Sequence, residues 1–179
     1  YAFSNFGDLN IVSISDNCGL TTIYNSAFYQ CSSLSEINFP NSLLKISQMA
    51  FASCTSLTTI TIPEKVISLG ASCFWFCSKL EKVVLPSNID TLPSSIFDSC
   101  EDLKEINLPE ELEIIEQYAF RNCQCLSEIE FPESLISIYE DAFAYSGLRN
   151  VIIGEKIGFL GKQAFSHSQI GRASCRERV

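Results

Sequence analysis

The stretch LKEINLPEELEIIEQYAFRNC, Leu103–Cys123, decides the fold of this 179-residue chain, because it recurs along the whole sequence. Moved back by 23 residues it matches LEKVVLPSNIDTLPSSIFDSC, Leu80–Cys100, and two further steps bring it onto Leu57–Cys77 and Leu34–Cys54. A self-similar period of about 20 to 50 residues is typical of a solenoid. The sequence therefore predicts stacked coils around a long, thin core.

Four residue types keep this register: leucine at 34, 57, 80, 103 and 126; proline at 40, 63, 86, 109 and 132; phenylalanine at 28, 51, 74, 97, 120 and 143; cysteine at 31, 54, 77, 100 and 123. Within one coil, Ile106 and Leu108 alternate with polar residues, as in a half-buried strand that ends at Pro109. Phe120 is expected to point inward from a short 3₁₀ or α turn. Stacked coils then form a repeat solenoid, with a parallel β-sheet on one face and short 3₁₀ or helical turns on the other.

The pattern Leu-x-x-Ile-x-Leu-Pro, then an apolar pair, then Ala-Phe-x-x-Cys, resembles the BspA-like leucine-rich repeat family. The resemblance covers residues 1–169 and implies a right-handed leucine-rich-repeat superhelix. Repeats of this family are known from surface proteins of mucosal bacteria and protozoan parasites. The resemblance thus implies a cell-surface or secreted protein that binds a protein ligand, such as a host or extracellular-matrix protein. The family's frequent glycine before Ala-Phe occurs here only at Leu69-Gly70 and Leu160-Gly161.

Two segments are expected along the chain. Residues 1–169 are predicted to form one solenoid of about seven coils that is truncated at both ends. Residues 170–179, IGRASCRERV, show no repeat motif and match one translated frame of a short-read sequencing adapter, so we interpret them as an artefact. A basic arm for nucleic acid is the alternative interpretation of this tail.

Composition and motifs exclude several functions. The formal net charge of −9 argues against nucleic-acid binding, which normally requires a clustered basic face. No apolar run approaches the ~18 residues of a membrane helix, so no membrane insertion is expected. His167 is the only histidine, and no catalytic motif accompanies it, which predicts a protein that is not an enzyme and has no cofactor. Cys73 and Cys77 lack a second pair at zinc-site spacing, so no metal site is predicted.

The cysteine column has two interpretations. Neighbouring coils lie about 5 Å apart, so column neighbours approach the separation that a disulfide tolerates. The alternative is a ladder of buried free thiols that pack as small apolar groups. Because the five members cannot all pair with one another, the thiol ladder is favoured.

Two surfaces are candidates for binding. The first is the strand face, whose outward residues vary from coil to coil: Glu36, Asn38, Thr59, Thr61, Lys82, Val84, Glu105, Asn107, Glu128, Glu130, Asn150 and Ile152. Solenoids use such extended faces to bind, although an ordinary solvated face has the same pattern. The second is an aromatic patch of Trp75 and Phe76, with Tyr29 and Tyr145 expected in line with Trp75; it either anchors a partner or covers the turns.

These observations favour a non-enzymatic protein-binding or adhesion module that binds through the strand face. An architectural spacer, or an intracellular scaffold in the cytoplasm with no specific binding face, is the alternative.

Overall fold

Short parallel strands alternate with turns throughout the computed structural model, which describes residues 2–175 as a stack of about seven parallel coils. In chain order the strands are β1 (Ile11–Ser13), β2 (Thr22–Ile23), β3 (Glu36–Asn38), β4 (Lys45–Ile46), β5 (Thr59–Thr61), β6 (Ser68–Leu69), β7 (Lys82–Val84), β8 (Thr91–Leu92), β9 (Glu105–Ile106), β10 (Ile114–Ile115), β11 (Ser137–Ile138), β12 (Asn150–Ile153), β13 (Phe159–Leu160) and β14 (Arg172–Cys175). Within the described chain the one helix is the 3₁₀ helix Asp16–Cys18, which follows β1 in the first coil, where Leu9 and Leu34 are 25 rather than 23 residues apart.

The strands form two rows along the stack. The first row carries the Leu-x-x-Ile motif and forms three sheets, ordered β1-β3, β5-β7-β9 and β12-β14. The second row forms two sheets, ordered β2-β4-β6 and β8-β10-β11-β13. The sequence indicated only an apolar pair at the second row, because strands of two residues are too short to show an alternating pattern. The coil is therefore bounded by strands on two sides.

The Ala-Phe segments are successive turns that link the coils through a third set of hydrogen bonds. In one segment the amide groups of Tyr118, Phe120 and Asn122 donate to carbonyl groups of the following coil at 3.2, 2.7 and 2.9 Å. Tyr118 and Asn122 have positive φ values of 61° and 60°, and the same two positions are left-handed in every coil from Ser26 onward. The left-handed residues turn these N–H groups along the solenoid axis.

The predicted phenylalanine column is confirmed as a continuous stack of rings. Centroids of neighbouring rings lie 5.0 to 5.8 Å apart between Phe3 and Phe165. The rings of Phe51 through Phe143 are fully buried. Each ring covers the face of the next, so the apolar core extends unbroken through the coils.

The coil that begins after Ser146 is one residue shorter than the others. Gly147 makes this possible, because a Cβ atom at that position would lie 2.1 Å from the carbonyl oxygen of Gln124. Beyond it, β14 pairs in parallel with β12, with Asn150 opposite Arg172. Residues 172–175 thus occupy the strand position of a further coil, and residues 176–179 lie outside the described residues. The adapter origin of residues 170–179 stays a prediction.

Candidate functional site

The first strand row presents the predicted variable face to solvent. Eleven of its twelve candidate residues are exposed and Val84 is partly buried, while the residues between them, such as Ile60 and Val83, are buried. The strand register aligns Thr59, Lys82 and Glu105 as direct neighbours across three coils. A ligand that crosses the coils would therefore meet a row of unlike side chains at strand spacing.

The ladder of this row is interrupted at the coil that follows β9. Residues 128–131 are not in a strand, so Glu128 and Glu130 lie between two sheets rather than within one. Two features accompany this interruption. Phe131 replaces the Ile or Leu of most coils, and its ring packs edge-on against Phe143 at 5.6 Å. Phe39, at the same position of an earlier coil, packs in the same way against Phe51 at 5.7 Å. Glu128 also follows Glu105 in the same row, and like charges on adjacent strands destabilise pairing.

The interruption opens a depression in the face with a volume of about 710 Å³. Its floor is apolar and consists of Ile106, Leu108, Ile129 and Phe131, all of which are partly exposed. At the other interruption of the row, between β3 and β5, the inward residues Ile37 and Ile60 are buried, with 9% and 2% of their surface exposed.

The charges at the rim of the depression are unequally matched. Lys82 contacts Glu105 at 2.6 Å, and the pKa of Glu105 is lowered, first by its hydrogen bond with Lys82 and then by the attraction of that charge. Lys104 contacts Glu81 at 3.1 Å. The remaining rim glutamates, which have no ion pair within the described chain, are Glu110, Glu128 and Glu130. The rim therefore keeps an excess of negative charge.

Two asparagines of the predicted face have a structural role. The side-chain amide of Asn107 accepts a hydrogen bond from the amide nitrogen of Leu85 at 2.9 Å and donates to the carbonyl oxygen of Leu85 at 3.2 Å. Asn38 makes the same pair of contacts with Ile14 of the preceding coil, at 3.2 and 3.4 Å. Their amides extend the strand ladder through side chains, and this use of the two residues is not visible in the sequence pattern.

The aromatic residues do not form one continuous patch. Trp75 and Phe76 lie together with ring centroids 6.0 Å apart, whereas Tyr145 stacks on His167 at 4.6 Å. The expectation that Tyr145 lies in line with Trp75 is wrong, because Tyr145 follows its core phenylalanine by two residues, as Phe76 does. Only Tyr29 shares the position of Trp75, and an intervening coil separates the two.

The cysteine column is a ladder of free, buried thiols. The Cys100 sulfur donates to the carbonyl oxygen of Phe74 at 3.2 Å, and Cys123 donates to that of Phe97 at 3.3 Å. Burial is the largest cause that raises the pKa of both thiols well above the ordinary value. Neutral thiols are poor nucleophiles and poor metal ligands. Within residues 2–175 no three His, Cys, Asp or Glu side chains converge on a position that would hold a metal ion.

Sequence reasoning missed the floor of the depression and the rim residues Lys104 and Glu110. The signal available was the glutamate at the equivalent positions 105 and 128 of adjacent coils, since Phe131 shares its column with Phe39 as well as with Ile and Leu. Sequence reasoning also missed the ion pair of Arg121 with the buried Asp98, at 2.7 Å. Those two residues are 23 positions apart and share one column, so the repeat register alone brings them together.

Parallel coils of this length, with a leucine-containing strand motif and a core of stacked phenylalanines, define the molecule as a leucine-rich-repeat solenoid. Comparison with family models identifies the family to which these repeats belong. The chain belongs to the BspA-type leucine-rich repeat family, whose model matches in six copies over residues 1–123 and 90–179.

Solved bacterial structures share the fold. A leucine-rich repeat protein from Bacteroides ovatus ATCC 8483 is 30% identical with a TM-score of 0.77, over 97% of this chain and 53% of that protein. The Treponema pallidum leucine-rich repeat protein TpLRR is 25% identical with a TM-score of 0.71, over 92% and 72%. The pneumococcal vaccine antigen PcpA is 23% identical with a TM-score of 0.59, over 94% and 51%, which shows the fold alone. This chain thus spans about half the length of the Bacteroides protein.

A search of curated proteins found no match. None of the three solved structures is described as an enzyme. Across residues 2–175 no helix has the length and apolar character that crossing a bilayer requires.

Proposed function

We propose that this solenoid is a non-enzymatic protein-binding module of the adhesion type, and that its ligand lies across the face of the first strand row. The supporting observation is the contrast between the two sets of side chains in each coil. Inward columns repeat the same residues and are buried, whereas outward residues differ from coil to coil and are exposed. Outward positions are free of packing constraints, so they are where a specific surface is encoded.

The depression adds to this proposal. Exposed apolar side chains in a concave site, surrounded by charged residues, are the usual composition of a binding surface. Here four apolar residues form the floor of the depression, and glutamates together with Lys82 and Lys104 lie at its rim. A host or extracellular-matrix protein is the ligand class that the family resemblance implies, and a cell-surface or secreted location is proposed on the same ground.

An architectural spacer is the second candidate. The observation that favours it is the continuity of the hydrogen bonds between Ala-Phe segments, which join every coil from Phe3 to Ser166. Such a stack provides length and stiffness, and it needs no specific binding face to do so. A spacer, unlike a binding module, tolerates charge reversal anywhere on its surface.

The experiment compares two variants with the same change in net charge. The face variant is Glu105→Lys, Glu128→Lys and Glu130→Lys; the control variant is Asp90→Lys, Glu113→Lys and Glu140→Lys, whose residues are exposed and lie outside the strand face. Binding to immobilised fibronectin, laminin and collagen is measured by biolayer interferometry. We expect a ligand of the wild type to lose about tenfold or more in affinity for the face variant alone. Equal affinity of all three proteins for a bound ligand would exclude the strand face.

A further inference from the structure

We propose that the depression beside β9 receives arginine side chains of the protein ligand, whose aliphatic stems lie on the apolar floor and whose guanidinium groups pair with glutamates of the rim. This inference rests on the proposed function and names the part of the ligand that the face recognises. Two features of the depression define the occupant, the exposure of its apolar floor and the excess of negative charge at its rim.

The floor is an opening in a core that is otherwise closed along the first strand row. Between positions 37 and 151 the inward residue of this row is buried in every coil except at Ile106 and Ile129, which are partly exposed. Leu108 and Phe131 are partly exposed as well and line the same depression. Removing such apolar surface from water is favourable, so the floor binds the apolar part of an occupant.

The rim supplies the charge that selects a basic occupant. Four glutamates and two lysines line the depression. Within residues 2–175 both lysines pair with other glutamates, at 2.6 and 3.1 Å, and neither forms an ion pair with Glu110, Glu128 or Glu130. A purely apolar occupant would take water away from these carboxylates without pairing them, which is unfavourable. A positive group on the occupant offsets that cost and is complementary to the rim.

Arginine meets both requirements better than lysine does. Its aliphatic stem covers apolar surface while its charged head stays at the rim. The guanidinium group is more weakly hydrated than an ammonium group, and it pairs with a carboxylate through two parallel hydrogen bonds. It also interacts favourably with aromatic rings, and Phe131 supplies one at the floor. Glu128 and Glu130 are both exposed, so together they offer carboxylates to two arginines.

The occupant enters from solvent and leaves the stack of coils unchanged. Hydrogen bonds to both neighbouring coils hold the segments on either side of Glu128. The amide nitrogen of Cys125 donates to the carbonyl oxygen of Glu101 at 3.0 Å, and that of Arg149 donates to the carbonyl oxygen of Ser127 at 3.1 Å. There is accordingly no place for an added strand, whereas side chains reach the floor of a depression of about 710 Å³ without moving the backbone. A protruding loop of the ligand satisfies this geometry.

The probe is a head-to-tail cyclic pentapeptide, Arg-Val-Arg-Gly-Gly, whose closed ring presents two arginines on a loop. Its binding to the whole chain is measured by isothermal titration calorimetry. Two control rings replace both arginines, one by citrulline, which keeps the shape and removes the charge, and one by lysine, which keeps the charge. The comparison of the three rings uses the wild-type chain alone, so it does not depend on the folding of any variant.

Two protein variants test the rim and the floor separately. The rim variant is Glu128→Gln with Glu130→Gln, and its control is Glu113→Gln with Glu140→Gln, which are exposed acids outside the depression. The floor variant is Ile129→Thr, a change to a similarly branched but polar side chain. Its control makes the same change at residue 136, an exposed isoleucine before β11 and outside the depression.

We expect the arginine ring to bind, the citrulline ring to bind about tenfold or more weakly, and the lysine ring about threefold or more weakly. We expect affinity for the arginine ring to fall about tenfold or more in the rim variant and about threefold or more in the floor variant, with neither control changed. Absence of binding overturns the inference. A lysine ring that binds as tightly as the arginine ring, or a floor variant that binds as tightly as its control, also overturns it, since an acidic surface alone would then account for binding.

A second copy of this chain is the competing occupant. Sedimentation would then show a dimer that dissociates in the rim variant, and the inference would be wrong. The two proposals also fail separately. A matrix protein that the face variant no longer binds, together with no binding of the arginine ring, overturns this inference and leaves the proposed function intact. Binding of the arginine ring without any matrix ligand overturns that choice of ligand class and leaves the arginine subsite intact.

Discussion

Replacing Ser146 by cysteine should stabilise the protein, because Ser146 is the one departure from the cysteine ladder between positions 31 and 146. Its side chain is 2% exposed, and its hydroxyl group has no hydrogen-bond partner. In the other coils the sulfur reaches a phenylalanine carbonyl at 3.0 to 3.3 Å. By the same register, the acceptor for residue 146 is the carbonyl oxygen of Phe120.

The expected gain follows from two contributions. A buried hydroxyl group without a partner costs about 1–3 kcal/mol of stability, and the Ser146→Cys substitution removes that cost. The S–H···O contact that forms instead contributes well below about 1 kcal/mol, as such weak hydrogen bonds generally do. We therefore expect the free energy of unfolding to rise by about 2 kcal/mol.

The assay is urea denaturation followed by circular dichroism, with reductant present throughout. Cys123→Ser makes the reverse change in an interior coil and is expected to lower the free energy of unfolding by about 1–3 kcal/mol. Ser146→Ala separates the two contributions, because it removes the hydroxyl group without supplying a thiol. A Ser146→Cys protein that is no more stable than the wild type, with Cys123→Ser also neutral, would refute the ladder as a source of stability.

Three other changes test the core. Phe97→Ala should cost about 3–5 kcal/mol in the same assay by removing a stacked ring, and a loss below about 1 kcal/mol would contradict the ring stack. Gly147→Ala should cost about 1–3 kcal/mol, because the new Cβ meets the carbonyl oxygen of Gln124; an unchanged urea midpoint would contradict this. Of the eight cysteines from Cys18 to Cys125, the exposed Cys18 and Cys125 should react with a thiol reagent in the native protein, and the six buried thiols only after unfolding. Burial raises the pKa of Cys123 above 9.0, so the contribution of such thiols to stability should be constant well below pH 9 and fall above it by up to about 1.4 kcal/mol per pH unit for each thiol; a free energy of unfolding that is flat from pH 8 to 10 would contradict this.

The core could be predicted from the sequence because each of its contacts repeats. Phe97 packs between Phe74 and Phe120, and each ring in the interior of the column likewise packs between two others. The same residue type is therefore favoured at this position in every coil, and the column is recognisable in the sequence. The ion pair of Asp98 with Arg121 could have been predicted from the sequence as well, since residues of one column become neighbours in adjacent coils. In a solenoid, column position predicts contacts better than the character of any single residue.

The depression could not be predicted in the same way, because it arises where the repeat is imperfect. Phe131 and Phe39 hold the same position and both rings pack edge-on against the core phenylalanines, yet only the coil of residues 128–131 lacks the first-row strand. The asparagines show a similar limit. Asn107 looks like any exposed polar residue until the distance from its amide to the backbone of Leu85 is known.

The hydrogen bonds between Ala-Phe segments also align the peptide dipoles on one side of the solenoid. In these segments one peptide group accepts a bond from the preceding coil and donates the next bond to the following coil, as between Tyr29, Gln30 and Ala52. Three such rows run along the stack, and all of their N–H groups point toward the C-terminal end. Peptide dipoles aligned head to tail add up, as they do along an α-helix. Beside the second strand row the hydrogen bonds run the other way, as from the amide nitrogens of Gly70 and Tyr139 to carbonyl oxygens of the preceding coil. The aligned peptide dipoles of the Ala-Phe segments are therefore opposed by those beside the second strand row, and the two sides of each coil differ in polarity.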